Sequence, residues 1–201
     1  MGNILSYGFD EYISMVKSFH GSDAPGVLIG GFMVDLAYQH LPEGGLYEVI
    51  CETAKCLPDA VQLLTPCTLG NQRIRVIDVG RFALTFYEKR TGVGVRVYID
   101  CNKLDIWPDI KGWYLKLTPK NAQNHMVLLC QIRKAGTDIC SVEKAQVDIS
   151  TLKKKRSGLI SICPSCGEAY RSTDGVICPA CKGGVLPYVT TNRQKSALSD
   201  R

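Results

Sequence analysis

No stretch of this 201-residue chain stays apolar for the about 20 residues that a helix needs to cross a bilayer, which excludes a helical membrane protein. The opening Met1-Gly2-Asn3-Ile4-Leu5-Ser6 lacks a basic stretch followed by an apolar core, so no secretory leader is expected. The same residues match a Met-Gly-x-x-x-Ser acylation pattern, which we read as chance in a chain with prokaryotic-looking features. There is no internal repeat and no low-complexity tract, so a solenoid is not expected. Charge of one sign is not in large excess: 24 Lys and Arg stand against 19 Asp and Glu, for a net charge of +5. Much of the local surplus is Lys153-Lys154-Lys155-Arg156, a run that can attract phosphate but more often marks a solvated linker or strand edge.

Cysteine, by contrast, is abundant, with ten in the chain. A secreted disulfide scaffold would be small and poor in apolar residues, whereas 45% of this chain is hydrophobic. That content suffices for one core of about 100–150 residues with a small appended module. Reduced thiols in a cytoplasmic protein are the expectation.

Spacing predicts the elements of that core. Tyr12, Ile13, Val16 and Phe19 share one helical face, and His20-Gly21 ends the helix. A second helix, from Pro25 to about Leu41, is apolar nearly all round and should be buried; Gly26, Gly30 and Gly31 within it suggest close approach by another backbone. Residues 46–51 and 73–77 read as strands, residues 59–64 as a short helix, and residues 83–87 and 93–98 as a hairpin across Arg90-Thr91-Gly92. Thr118-Pro119 predicts a helix entry running to Lys134, with a further short helix near residues 142–147. The mixture predicts an α+β fold: a mixed sheet packed with helices. We place a core domain at 1–152, a metal-binding module at 153–190 and a polar tail at 191–201.

Near the C-terminus, Cys163-Pro164-Ser165-Cys166 is followed after eleven residues by Cys178-Pro179-Ala180-Cys181. Two such knuckles can set four thiolates around one tetrahedral ion, and Zn²⁺ prefers that shell. Gly167 and Gly183-Gly184 permit the turns that bring backbone amides toward sulfur. A segment this short cannot bury a sufficient core, so the metal should fold it. A closed four-sulfur shell leaves no position for substrate.

A second set of reactive groups lies earlier. His20 falls between two predicted helices, where it can ligate a metal or exchange a proton. Cys56 stands at the entrance of the short helix, where the helix dipole favours a thiolate, and Cys67 stands in the loop after it. The bland alternatives are a solvated histidine and two small buried hydrophobes.

These residues also carry a family likeness. His20-Gly21 and Pro25-Gly26 fit a motif written F-H-G-H-x-C-P-G. Cys56, Asp59-Ala60-Val61-Gln62, Leu64-Thr65, Cys67-Thr68 and Gly70 fit a cysteine-rich central motif; Asp78, Gly80 and Arg81 with Phe86-Tyr87 fit the segment after it; and Cys163 to Glu168 fits C-x-x-C-G-E. On them the chain resembles the formylmethanofuran dehydrogenase E-subunit family, over residues 12–100 and 156–182. The resemblance implies an α+β core with a small treble-clef-like zinc finger, often a homodimer, and a cleft containing the His and Cys positions. Carried over by position, His20, Cys56 and Cys67 become candidate catalytic groups or ligands of a second metal ion, zinc or iron, with Asp59, Gln62 and Thr65 supporting them. Ser22 and Ala24 depart from the motif, replacing its second His and its Cys.

Three functions follow. The first is a zinc-binding accessory or small-ligand protein linked to one-carbon metabolism of the methanogenesis type, with other subunits of a metabolic complex as partners. The chain shows no apparatus for a molybdenum or tungsten pterin or for iron–sulfur clusters. The second is a nucleic-acid-binding or regulatory zinc-finger protein, suggested by the basic run with Arg171, Lys182, Arg193 and Lys195. The third is an independent thiol- or metal-dependent enzyme using Cys56 or Cys67, with His20 as base.

Overall fold

The α1 helix (Phe9–His20) ends where its sequence says it should: Gly21 takes φ 87°, and its amide closes on the Lys17 carbonyl at 3.1 Å. In the computed structural model, residues 3–152, 158–184 and 186–188 are described. The basic run 153–156, Arg193, Lys195, the tail from 191 and the Met1-Gly2 pair lie outside the described residues. Two units separate, Met1–Thr151 and Leu152–Arg201.

In the first unit α2 (Pro25–His40) is the central element, its Val27, Leu28, Ile29, Met33 and Val34 fully buried. It packs on α1, on α3 (Leu57–Leu64), on α5 (His125–Ala135) and on the sheet. Its glycines permit this. A Cβ on Gly30 would stand 2.7 Å from the Ala60 Cβ of α3, and one on Gly31 would overlap the Tyr12 ring of α1. Tyr12, itself fully buried, donates its hydroxyl to the Val27 carbonyl at 3.0 Å.

The sheet has five strands: β1 (Tyr47–Cys51), β2 (Ile74–Val76), β3 (Ala83–Glu88), β4 (Val93–Ile99) and β5 (Cys140–Gln146), in the order β2-β1-β3-β4-β5. The β1–β2 pair is parallel and the other pairs antiparallel, so the sheet is mixed and the fold is α+β. Val95, Val97 and Ile99 are buried in the core and alternate with half-buried Arg96 and Tyr98. Arg96 binds Glu52 through contacts of 2.6 and 3.1 Å, and Arg81 reaches the same carboxylate at 2.7 Å. Those guanidinium groups, Arg96 first, hold the Glu52 carboxyl below its usual range against the opposing effect of burial.

The segment after Asp100 departs from expectation. The helix expected from Thr118-Pro119 begins only at His125, where the Asn124 side chain accepts the Val127 amide at 3.2 Å; a single 3-10 turn, Lys120–Ala122, fills the gap. A short α4 (Pro108–Tyr114) starts on a proline whose signal the sequence pattern does not make plain. The helix expected near 142–147 is strand β5, because seven residue pairs against β4 override the helix propensity of Glu143, Lys144 and Ala145.

The second unit contains a hairpin, β6 (Ile160–Ile162) with β7 (Ala169–Arg171), and the cysteine knuckles. No helix among the described residues is long and apolar enough to cross a membrane.

Candidate functional site

The second unit gathers Cys163, Cys166, Cys178 and Cys181 so that their sulfurs lie within 4.8 Å of one another. The β6–β7 hairpin sets the first knuckle: the Cys163 amide donates to the Glu168 carbonyl at 2.9 Å, and Gly167, at φ 74°, returns its amide to the Cys163 carbonyl at 2.8 Å. The second knuckle turns through Gly183 at φ 101°. Backbone amides also face sulfur, from Cys178 to Cys163 Sγ and from Cys181 to Cys178 Sγ, both at 3.4 Å. The Cys178 amide leads the effects that pull the Cys163 thiol down to about 6. A tetrahedral zinc–thiolate shell with bonds of about 2.3 Å needs sulfurs about 3.8 Å apart. Cys166 and Cys178 already stand at 3.8 Å. The cluster is able to hold a metal ion, and none of its four cysteines is paired in a disulfide.

The other site is built at the head of α3. His20 closes α1, and its Nδ1 lies 2.6 Å from Asp59 Oδ2 in the first turn of α3. Cys56 is the residue just before that helix, with φ 60° and ψ −49°. The Leu57 amide bonds the Lys55 carbonyl at 2.6 Å, so Cys56 is the apex of a three-residue γ-turn of the rare positive-φ kind. Such a conformation costs about 1–3 kcal/mol in a residue with a side chain. The first turn of α2 receives the thiol: a Cβ on Gly26 would lie 2.7 Å from Cys56 Sγ. Burial, then the Asp59 carboxylate, push the Cys56 thiol above its ordinary range, with Lys55 opposing. The thiolate expected from the helix dipole is therefore not favoured; desolvation outweighs the dipole at this half-buried position.

Cys67 is elsewhere. It lies beyond the other end of α3, a helix about 12 Å long at 1.5 Å per residue. It is 2% exposed, and its Sγ donates to the Tyr47 carbonyl at 3.4 Å. Burial pushes its thiol up as well. Thr65 accepts the Cys67 amide at 3.0 Å and donates to the Val61 carbonyl, while Gln62 accepts the Leu69 amide at 3.2 Å. Both supporting residues thus brace the loop that carries Cys67. The structure brings His20, Asp59 and Cys56 to one end of α3 and leaves Cys67, Thr65 and Gln62 at the other. Among the described residues, the cysteine tetrad is the one set of three or more His, Cys, Asp or Glu side chains with mutually close ligand atoms.

Cys56 opens onto a cleft of about 740 Å³, with Ala24 and Gly26 on its own side and Trp113, His125 and Leu128 across it. His125 Nε2 lies 2.8 Å from Asp23 Oδ1, and Lys17 holds the other Asp23 oxygen at 3.1 Å. Despite partial burial, those two partners keep the Asp23 carboxyl below its usual range. Sequence reasoning missed Trp113 and His125. His125 meets Asp23 across 102 residues, a separation that leaves no local pattern. A second depression, about 680 Å³, lies where Leu41 and Pro42 meet Val93 and Val142; no cysteine lines it.

Comparison with known proteins gives a consistent result. Residues 19–147 match the family model described as FmdE, molybdenum formylmethanofuran dehydrogenase operon. Residues 154–189 match the FmdE treble clef zinc finger. A solved FmdE-like protein of the tungsten formylmethanofuran dehydrogenase type, from Syntrophus aciditrophicus, is 51% identical, with a TM-score of 0.85 over 93% of this chain and 98% of that one. A curated protein of Archaeoglobus fulgidus, described as a probable S-adenosyl-L-methionine-binding protein, is 36% identical over 96 residues, 44% of this chain. The chain spans 26% of that relative's length. The chain belongs to the FmdE family and carries that family's treble-clef zinc finger.

Proposed function

We propose that this chain is a small-ligand-binding protein of one-carbon metabolism, with the Cys56 cleft as its working site and a structural zinc ion in the tetrad. The observation that carries the reading is the γ-turn at Cys56. A non-glycine residue is held there in a costly conformation, its thiol seated against Gly26 and facing an open cleft. Strain of this kind persists where the surroundings impose it, and it concentrates at sites that bind or react. The four sulfurs of the second unit, by contrast, would complete a closed shell, which suits folding rather than catalysis. Ten cysteines without a disulfide suit a reducing cytoplasm. Within this reading the chain acts as a homodimer or as an accessory to the catalytic subunits of a metabolic complex, with which it would copurify.

The test is labelling by iodoacetamide, with each cysteine read by peptide mass spectrometry. Cys56 should react in the folded chain while Cys51 and Cys67, both buried, stay protected. Labelling of Cys67 as fast as Cys56 would overturn the assignment. S-adenosylmethionine, the ligand in the Archaeoglobus relative's description, is the first compound to titrate for protection of Cys56.

A second reading rests on the His20–Asp59 contact of 2.6 Å, since a carboxylate behind one ring nitrogen commonly orients an imidazole toward a metal with the other. His20 and Cys56 would then share a core ion, without Cys67. Metal stoichiometry separates the two readings.

A further inference from the structure

The walls of the Cys56 cleft say what charge its occupant should have. Lys116 and Lys120 line it, and neither has an ion-pair partner among the described residues. Asp23 is the one carboxylate in the lining, and Lys17 and His125 already engage it. The α2 helix opens into the cleft at Ala24, Pro25 and Gly26 with no side-chain cap and no acidic residue in its first turn. Its positive end is therefore not offset by the protein itself. The far wall is different in character: Trp113 is half-buried and Leu128 buried, and together they offer an apolar surface. Two uncompensated ammonium groups and a bare helix end call for negative charge, and the apolar wall calls for a carbon body.

We infer that the cleft takes a small organic anion, its charged group toward Lys116 and Lys120 and its carbon portion against Trp113, beside the Cys56 thiol. This inference rests on the reading of that cleft as the working site. It adds the ligand's class, and it assigns a role to Lys116, Lys120 and Trp113, which lie in a segment where sequence pattern gave no site.

Two alkylating reagents of nearly equal size test it: iodoacetate, an anion, and iodoacetamide, its neutral counterpart. Both attack the same sulfur, so the ratio of their rates at Cys56 cancels thiol acidity and general access. Relative to the same ratio for free cysteine, iodoacetate should be favoured at Cys56 by about 3- to 10-fold, the effect of two charges about 7 Å away in a largely aqueous setting. Added salt should erode the preference. The double variant Lys116→Gln/Lys120→Gln should return the ratio to that of free cysteine. Both lysines are exposed, so the variant should fold; Lys120→Glu, which should push the ratio below that of free cysteine, gives a second reading. A wild-type ratio equal to that of free cysteine, or one the substitutions leave unchanged, would overturn the anion inference while leaving the open cleft intact. If neither reagent labels Cys56 in the folded chain, the cleft reading fails, and the anion inference with it.

Discussion

Glycine at position 56 should make the core more stable than alanine at the same position, the reverse of the usual order. Both Cys56→Gly and Cys56→Ala remove the thiol and its packing against Gly26, so those losses cancel in the comparison. What remains is the backbone. At φ 60° and ψ −49° a side chain costs about 1–3 kcal/mol, which alanine bears and glycine escapes. Glycine in turn loses about 0.5–1 kcal/mol through the greater freedom of its unfolded chain. The difference leaves glycine ahead by roughly 0.5–2 kcal/mol. Urea denaturation of the two variants with zinc present, followed by a probe in the first unit such as Trp113 fluorescence, would read this as a shift in midpoint. With a slope of about 1–3 kcal/mol per molar urea, the shift should be resolvable. Equal midpoints, or alanine the more stable, would mean that Cys56 is not strained, and the observation behind the proposed function would fall.

Other outcomes follow from the same structure. Gly31→Ala should destabilise the core by about 1–3 kcal/mol, because the added methyl meets the buried Tyr12 ring; a neutral result in thermal melts would contradict that packing. The folded-state acidity of Glu52 is shifted downward, so its pairing with Arg96 and Arg81 contributes stability above the usual glutamate range, near pH 4.3, and that contribution disappears as pH falls through the lowered folded-state value. Glu52→Gln should therefore flatten the acid limb of stability against pH, and parallel limbs for variant and wild type would refute the assignment. Chelation of zinc should raise amide exchange at Cys163–Cys181 while leaving β3 and β4 protected, since the metal supplies the folding energy of the small unit; loss of protection throughout would contradict this.

The legible parts of this chain were those with local signatures. The two knuckles announced themselves by spacing, and α2 by apolar residues on every face with glycines where other elements press in. The β3–β4 hairpin showed through its alternation and through Gly92, which takes φ 74° at the turn. Strand β5 was not legible, because Cys-Ser-Val-Glu-Lys-Ala-Gln carries helix formers and becomes a strand only by pairing with β4. The γ-turn at Cys56 gave no warning either, since positive φ ordinarily falls on glycine or asparagine. His20 and Asp59 were both singled out, yet their contact across 39 residues, like that of His125 with Asp23, is a product of tertiary packing. Cys56 and Cys67 looked like one site because they are near neighbours in the chain; the helix between them instead holds them at opposite ends.

The most direct check on the division between a zinc-bearing tetrad and a thiol cleft that works without a metal is the metal content of the purified chain. It should be read by elemental analysis in the wild type and in the single variants Cys166→Ser, Cys56→Ser and Cys67→Ser. About one zinc per chain, lost in Cys166→Ser and kept in the other two variants, is the predicted result. Zinc retained in Cys166→Ser, or a second equivalent of metal that leaves with Cys56→Ser or Cys67→Ser, would contradict it.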